Sequence, residues 1–317
     1  MSAEQLELFP APKASREERK VAAKPPLTSA SPLSAAMRGF HQHMIEVEFS
    51  PHTIRSFSGD LSLLARYLGA DTAVGEISIA KLRQFLHWLR YERGVPCNAK
   101  SLSRRLTTLK VFFGWLQETG VLIEDPAAPL VHQRVSTPLP HILTDTEVER
   151  VLQTTEMLLH HPDEPDARPH LLVTLLLHTG IKKSECMNIA LHHIETGNPD
   201  SPVLYIRYEN PRQHYKERRL RLPSSFVGAW RLYLDQYKPR AKLFECTARN
   251  LEYVLHNVAR QAGIEGGISF ESLRWTCAVR DYRGGMDEET LRRKMGLSTI
   301  AWPEVLEKIK MLVQAPL

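Results

Sequence analysis

Between positions 207 and 221, cationic side chains gather more densely than anywhere else in the chain: Arg207, Arg212, Lys216, Arg218, Arg219 and Arg221. Grouped guanidinium and ammonium ions make charge-assisted hydrogen bonds to phosphate oxygens, and the two-residue period of a strand puts Arg219 and Arg221 on one face. The same cluster also reads as an exposed strand edge protected by charge. Lys100, Ser103, Arg104, Thr107 and Lys110 recur at helical spacing, either as a row of phosphate donors or as a solvated helix face. His160, His161 and His170 with Asp163 and Asp166 carry metal-ligand chemistry by residue type, but their spacing matches no helix-borne or cysteine-paired site. No metal and no cofactor is expected.

These groups must be positioned by packed elements, and the composition supports them. A chain of 317 residues with 43% hydrophobic content is long enough for two domains, each with its own core. The formal charge of +5 and pI near 9.0 suit a polyanionic partner. Cys97, Cys186, Cys246 and Cys277 lie far apart with no C-x-x-C pair, which argues against a disulfide framework and fits a reducing cytoplasm. No apolar run approaches the ~20 residues of a membrane span, and the N-terminus lacks a signal-peptide core. A soluble protein without membrane contact is expected.

Residues 1–32 read as a disordered tail, because 11–32 mix Pro, Ala, Ser and Lys without apolar periodicity. A helical domain follows over 33–130. Its second helix starts at Ser50-Pro51 and turns Ile54, Phe57, Leu61, Leu64 and Leu68 inward. A third is expected over 79–93 and a fourth over 101–119, with Leu102, Leu106, Leu109, Phe113 and Leu116 inward and Gly120 as its stop. Four prolines between 125 and 140 mark a linker, placed at 131–142. The second domain, 143–317, opens on a Thr144/Glu147 capping box. It continues through a polar loop at 162–169, an apolar helix over 171–178, two strands at 203–207 and 219–222, and closing helices carrying Leu291, Met295, Ile300, Val305, Ile309 and Leu312. The fold class is mainly α with a small antiparallel sheet.

Several segments, in order, resemble the tyrosine recombinase (phage integrase) family. Ser50-Pro51-His52-Thr53-Ile54-Arg55 with Asp60-Leu61, and Phe112-Phe113-Gly114-Trp115-Leu116 before Gly120 and Asp125-Pro126, are similar to its helical, SAM-like core-binding domain. Thr179-Gly180-Ile181-Lys182-Lys183-Ser184-Glu185 resembles the family's first catalytic box, with Lys182 where an Arg belongs. Lys216-Glu217-Arg218 before Leu222-Pro223 is similar to its hairpin, with Gln213 at the reactive lysine's position unless Lys216 replaces it through a register slip. Glu271-Ser272-Leu273-Arg274 resembles the third box, with Glu271 in place of His and Arg274 retained; Glu271 at i,i+3 would bridge to Arg274. Met295-Gly296-Leu297 resembles the next box, with Leu297 removing a donor, and the tyrosine position falls near Leu306, where neither Leu306 nor its neighbours Val305 and Glu307 carry a phenol.

The resemblance implies double-stranded DNA as partner, gripped by Lys100, Ser103, Arg104, Thr107, Lys110, Lys182, Arg212, Lys216, Arg218, Arg219, Arg221 and Arg274. It implies no cleavage, since Leu306 supplies no nucleophile. The expected protein is a non-cutting regulator, an architectural clamp, or a partner of itself or of a related active recombinase, in a nucleoid-associated cytoplasmic setting. Two alternatives stand beside it. One is a working recombinase with relocated residues, for which Tyr282 is the candidate nucleophile. The other is an interaction module tethered to replication, because Gln5-Leu6-Glu7-Leu8-Phe9 resembles the peptide that binds the bacterial sliding clamp, with Gln5, Leu6, Leu8 and Phe9 as contacts.

Overall fold

The computed structural model describes residues 26–95, 97–132 and 138–314. The chain divides into two compact units between residues 136 and 137.

The first unit is helical. Helices α1 (Leu33–Glu46), α2 (Pro51–Leu68), α3 (Ile79–His87) and α4 (Ala99–Glu118) surround a core of Phe40, Leu61, Leu64, Leu82, Phe85, Leu109, Phe112 and Phe113. The Ser50 side chain accepts from the Thr53 amide and Pro51 opens α2, so the expected cap is the observed one. The expected third helix stays helical to Glu92, but Trp88–Glu92 widens into a π turn closed by the Arg93 amide on the Trp88 carbonyl at 3.0 Å.

Residues 26–32 correct the reading of a tail that stays unstructured to residue 32. Leu27 packs on the core, and the Val74 and Gly75 amides bond the Ser31 and Ser29 carbonyls at 3.0 and 2.8 Å. Pairing with the loop before α3 satisfies backbone groups that composition alone leaves without partners. Gln5, Leu6, Leu8 and Phe9 lie outside the described residues.

In the second unit, α5 (Asp145–Leu159) carries the expected capping box, with the Thr144 amide on Glu147 Oε2 at 2.8 Å. Helix α6 (Ala167–Thr179) is buried along nearly its whole length and packs against α5, α8 (Phe226–Tyr237) and α10 (Phe270–Arg283). It starts four residues earlier than expected, because Asp166 caps it and Pro169 is tolerated in a first turn where no intrahelical amide is needed. The sheet is antiparallel in the order β1 (Ile194–Glu195), β2 (Val203–Ile206), β3 (Arg218–Arg221), with Leu204 opposite Leu220. Short α7 (Lys183–Cys186) follows α6, and α9 (Ala248–Gln261) packs on α5 and α6. Helices α11 (Glu288–Lys294) and α12 (Trp302–Gln314) close the chain; Trp275, Val279, Leu291, Ile309 and Leu312 form a second small core beneath them.

Candidate functional site

Gly180 ends α6 in the left-handed region at φ +58°, where an added Cβ would sit 3.2 Å from Cys277 Sγ. This close crossing of α6 and α10 brings Lys182 to Arg274. Arg274, only 8% exposed, donates to the Gly180 carbonyl through one terminal nitrogen and to the Met295 carbonyl at 2.7 Å through the other. The Lys182 ammonium donates to the Gly296 carbonyl at 3.0 Å. Lys182, Arg274, Glu271, Phe270, Leu297 and Val305 line a cleft of about 540 Å³.

Burial, only partly offset by Glu185 and reinforced by the charges of Arg274, Lys216 and Arg218, lowers the Lys182 amine to about 8. Of the six positions that the resemblance singles out, Lys182, Gln213, Glu271, Arg274, Leu297 and Leu306, four line one cleft: Lys182, Glu271, Arg274 and Leu297. Gln213 does not: it lies in a 3-10 turn, Pro211–Lys216, with its amide on the Asn210 carbonyl. From that turn it is the Lys216 charge that reaches Lys182.

Beneath Lys182 sits a carboxylate to which residue type and spacing alone assign no role. Glu185, its side chain 1% exposed, accepts from Arg218 at 3.1 and 2.8 Å, from the Tyr208 hydroxyl and from the Lys182 amide at 2.8 Å. Burial pushes its pKa up, but the hydrogen bonds and charge of Arg218, with further donors, outweigh that and hold it below the ordinary carboxylate range. Its signal in the sequence is its place three residues after Lys182 in a capping geometry.

Three expectations are corrected here. Arg218 is not an outward donor: its side chain is 7% exposed and spent on Glu185 and on the Lys294 carbonyl at 2.7 Å. Strand alternation explains this, since Arg218 shares the inward face with buried Leu220 while Arg219 and Arg221 are exposed. Glu271 forms no bridge to Arg274 and accepts instead from the Trp275 indole at 3.0 Å. Arg104 is not simply displayed, because it grips Asp60, a 4% exposed carboxylate also held by Thr108 at 2.9 Å and approached by Arg105 at 3.5 Å.

Along the rest of the α4 row, Lys100 and Thr107 are exposed, Ser103 meets His132 Nδ1 at 3.1 Å, and Lys110 donates to the Ala128 carbonyl at 3.0 Å. Arg212 is exposed on the hairpin turn. At the cleft wall, the α12 residue is Val305; Leu306 and Tyr282 pack on the small core under α12. Among the described residues, no three His, Cys, Asp or Glu side chains group as a metal site. His161 accepts the Asp163 and Glu164 amides, and His170 meets Thr155 Oγ1 at 3.0 Å.

Residues 37–120 match the family model described as phage integrase, N-terminal SAM-like domain. The chain is 25% identical to the tyrosine recombinase XerC of Staphylococcus epidermidis over 268 residues, covering 80% of this chain and 86% of that one. It is 26% identical to the XerC of Mycobacterium leprae over 282 residues, covering 84% and 92%. Among solved structures, a lambda integrase dimer bound to a COC' core site aligns with a TM-score of 0.68 at 12% identity, covering 90% of this chain and 79% of that one. The Tn1549 transposon integrase in complex with a circular intermediate DNA aligns with a TM-score of 0.68 at 14% identity, covering 88% and 94%.

Proposed function

Because the chain belongs to the tyrosine recombinase family, we propose that it grips duplex DNA and does not cut the strand through a tyrosine of its own. The observation that carries this reading is the cleft wall itself: where α12 closes it, the side chain is Val305, followed by Leu306, and neither has an oxygen to attack phosphorus. What remains of the cleft suits holding rather than breaking. Arg274 is fixed by two carbonyls and Lys182 offers a point charge in place of a planar fork.

The DNA-facing set is Arg219 and Arg221 on the outer face of β3, with Arg212 and Lys216 in the turn, Lys182 and Arg274 in the cleft, and Lys100, Ser103, Thr107 and Lys110 on α4, where Arg104 is spent on Asp60. Arg218 belongs to this set only as a support for Lys182 through Glu185. Such a protein acts as an architectural clamp or as a non-cutting partner of another copy or of an active recombinase. No described helix is long and apolar enough to cross a membrane. Mobility shifts of duplex DNA at rising salt test the grip: linear loss of log affinity with log salt is expected, and salt-independent binding would contradict it.

A working recombinase with a displaced nucleophile draws on Tyr208, whose phenol donates to Glu185 beside Lys182. Burial and the neighbouring Glu185 carboxylate hold that phenol's pKa well above its ordinary value, and neither Tyr208 nor Tyr282 lines the cleft. The non-cutting reading is therefore the better supported.

A further inference from the structure

We propose that Lys182 captures an aldehyde carried by damaged duplex DNA, the ring-opened sugar of a base-free site, as a covalent imine. The proposal rests on the DNA-binding reading above and extends it to a class of substrate. An imine needs an amine that is unprotonated, reachable and held still, beside a surface that keeps the DNA backbone near it.

Lys182 meets each requirement. Its side chain is 34% exposed, so the amine opens on the cleft. One N–H is engaged by the Gly296 carbonyl at 3.0 Å, which anchors the nitrogen and leaves a lone pair for attack once the proton is lost. Burial, with Arg274 on α10, Lys216 in the hairpin turn and Arg218 on β3, disfavours that proton while Glu185 on α7 favours it; with the pKa brought down to about 8, a part of the amine is neutral near neutral pH and most of it above 8. Glu271, Lys183 and Glu252 also line the cleft, but Lys183 and Glu252 pair with each other at 2.8 Å and Glu271 holds Trp275. Phe270, Leu297 and Val305 supply the apolar part of the cleft wall.

The step balances without an outside reagent. The nitrogen lone pair attacks the aldehyde carbon, the former carbonyl oxygen takes two protons and leaves as water, and a protonated carbon–nitrogen double bond joins sugar to lysine. Hydrolysis reverses it.

The test incubates the full-length protein with a duplex bearing one abasic site and reduces the mixture with cyanoborohydride, while mobility shifts on undamaged duplex run in parallel. A reduced adduct is expected, mapping to Lys182 by peptide mass, rising in yield as pH goes from 7 to 8.5 and falling about tenfold in Lys182→Arg. Mapping on the unaltered protein keeps the test decisive if the variant does not fold. An adduct mapping to another residue, or none while undamaged duplex still shifts, overturns the imine and leaves the DNA-binding reading standing. No shift with undamaged duplex defeats that reading and this proposal together. An adduct equally strong with free 2-deoxyribose 5-phosphate overturns the assignment to DNA.

Discussion

Lys182 and Arg274 divide the cleft's charge unequally, and pH separates them. Lys182 is protonated below about 8 and loses its charge as pH rises through that value, whereas a guanidinium keeps its charge throughout. Affinity for undamaged duplex should therefore fall between pH 7 and 9 by up to roughly tenfold, about one charge-assisted hydrogen bond, and the fall should flatten in Lys182→Arg. Titration by fluorescence anisotropy checks this; parallel profiles for the two proteins would contradict it. Beneath it, Arg218→Ala should destabilise the second unit by about 3–5 kcal/mol in denaturant melts, because Glu185 stays buried without its partner. The folded pKa of Glu185 is depressed, so its contribution is complete above the ordinary carboxylate range and is lost as pH falls through the folded value. Glu185→Gln should remove that part of the acid sensitivity. Arg274 and Lys182 are both legible as residue types, but the inward turn of Arg218 needs strand phase: placing Arg219 and Arg221 together on one face already consigns Arg218 to the face of Leu220.

Elements with strong ends are the easiest to read. Ser50-Pro51 and Thr144 with Glu147 announce α2 and α5 because a cap is a local, sequence-near hydrogen bond. Two-residue β1 offers too short a pattern to register, and the π turn after α3 depends on packing rather than on a residue type. Helix α9 carries the same kind of local signal, with Thr247 as its cap and Leu251, Leu255 and Val258 at helical spacing. Counting along the chain points to Leu306, whereas the phase of α12 presents Val305 to the cleft; both are apolar, so the chemical conclusion is the same. The bend between α6 and α7 is the element on which the cleft depends. Gly180→Ala should cost at least about 1–2 kcal/mol, since a side chain is strained at this φ and its Cβ would crowd Cys277. Thermal melts with a loss below a few tenths of a kcal/mol would show the bend to be more tolerant than its geometry.

Across the whole molecule, a net charge of +5 is modest, so the grip must come from where the charges sit rather than from their sum. Removing Arg219 and Arg221 together should lower the slope of log affinity against log salt by about 2, near one unit for each phosphate left unneutralised. Arg218→Ala, by contrast, should act on stability before it acts on the slope. If the N-terminal peptide binds the sliding clamp, a pull-down with the clamp should lose signal in Leu8→Ala with Phe9→Ala; equal recovery of both proteins would discard that partner. The division into a helical unit and a mixed unit, and the small antiparallel sheet, follow from periodicity and prolines; the pairing of buried Glu185 with Arg218 does not, because it joins residues whose neighbourhood only the packed sheet creates. The most direct measurement is a covalent-trapping assay on a nicked suicide duplex that the protein shifts, free of base-free sites and with no reductant present. Salt-sensitive complexes that dissociate completely in detergent are expected, and a phosphotyrosine-linked adduct that survives denaturation would contradict the account.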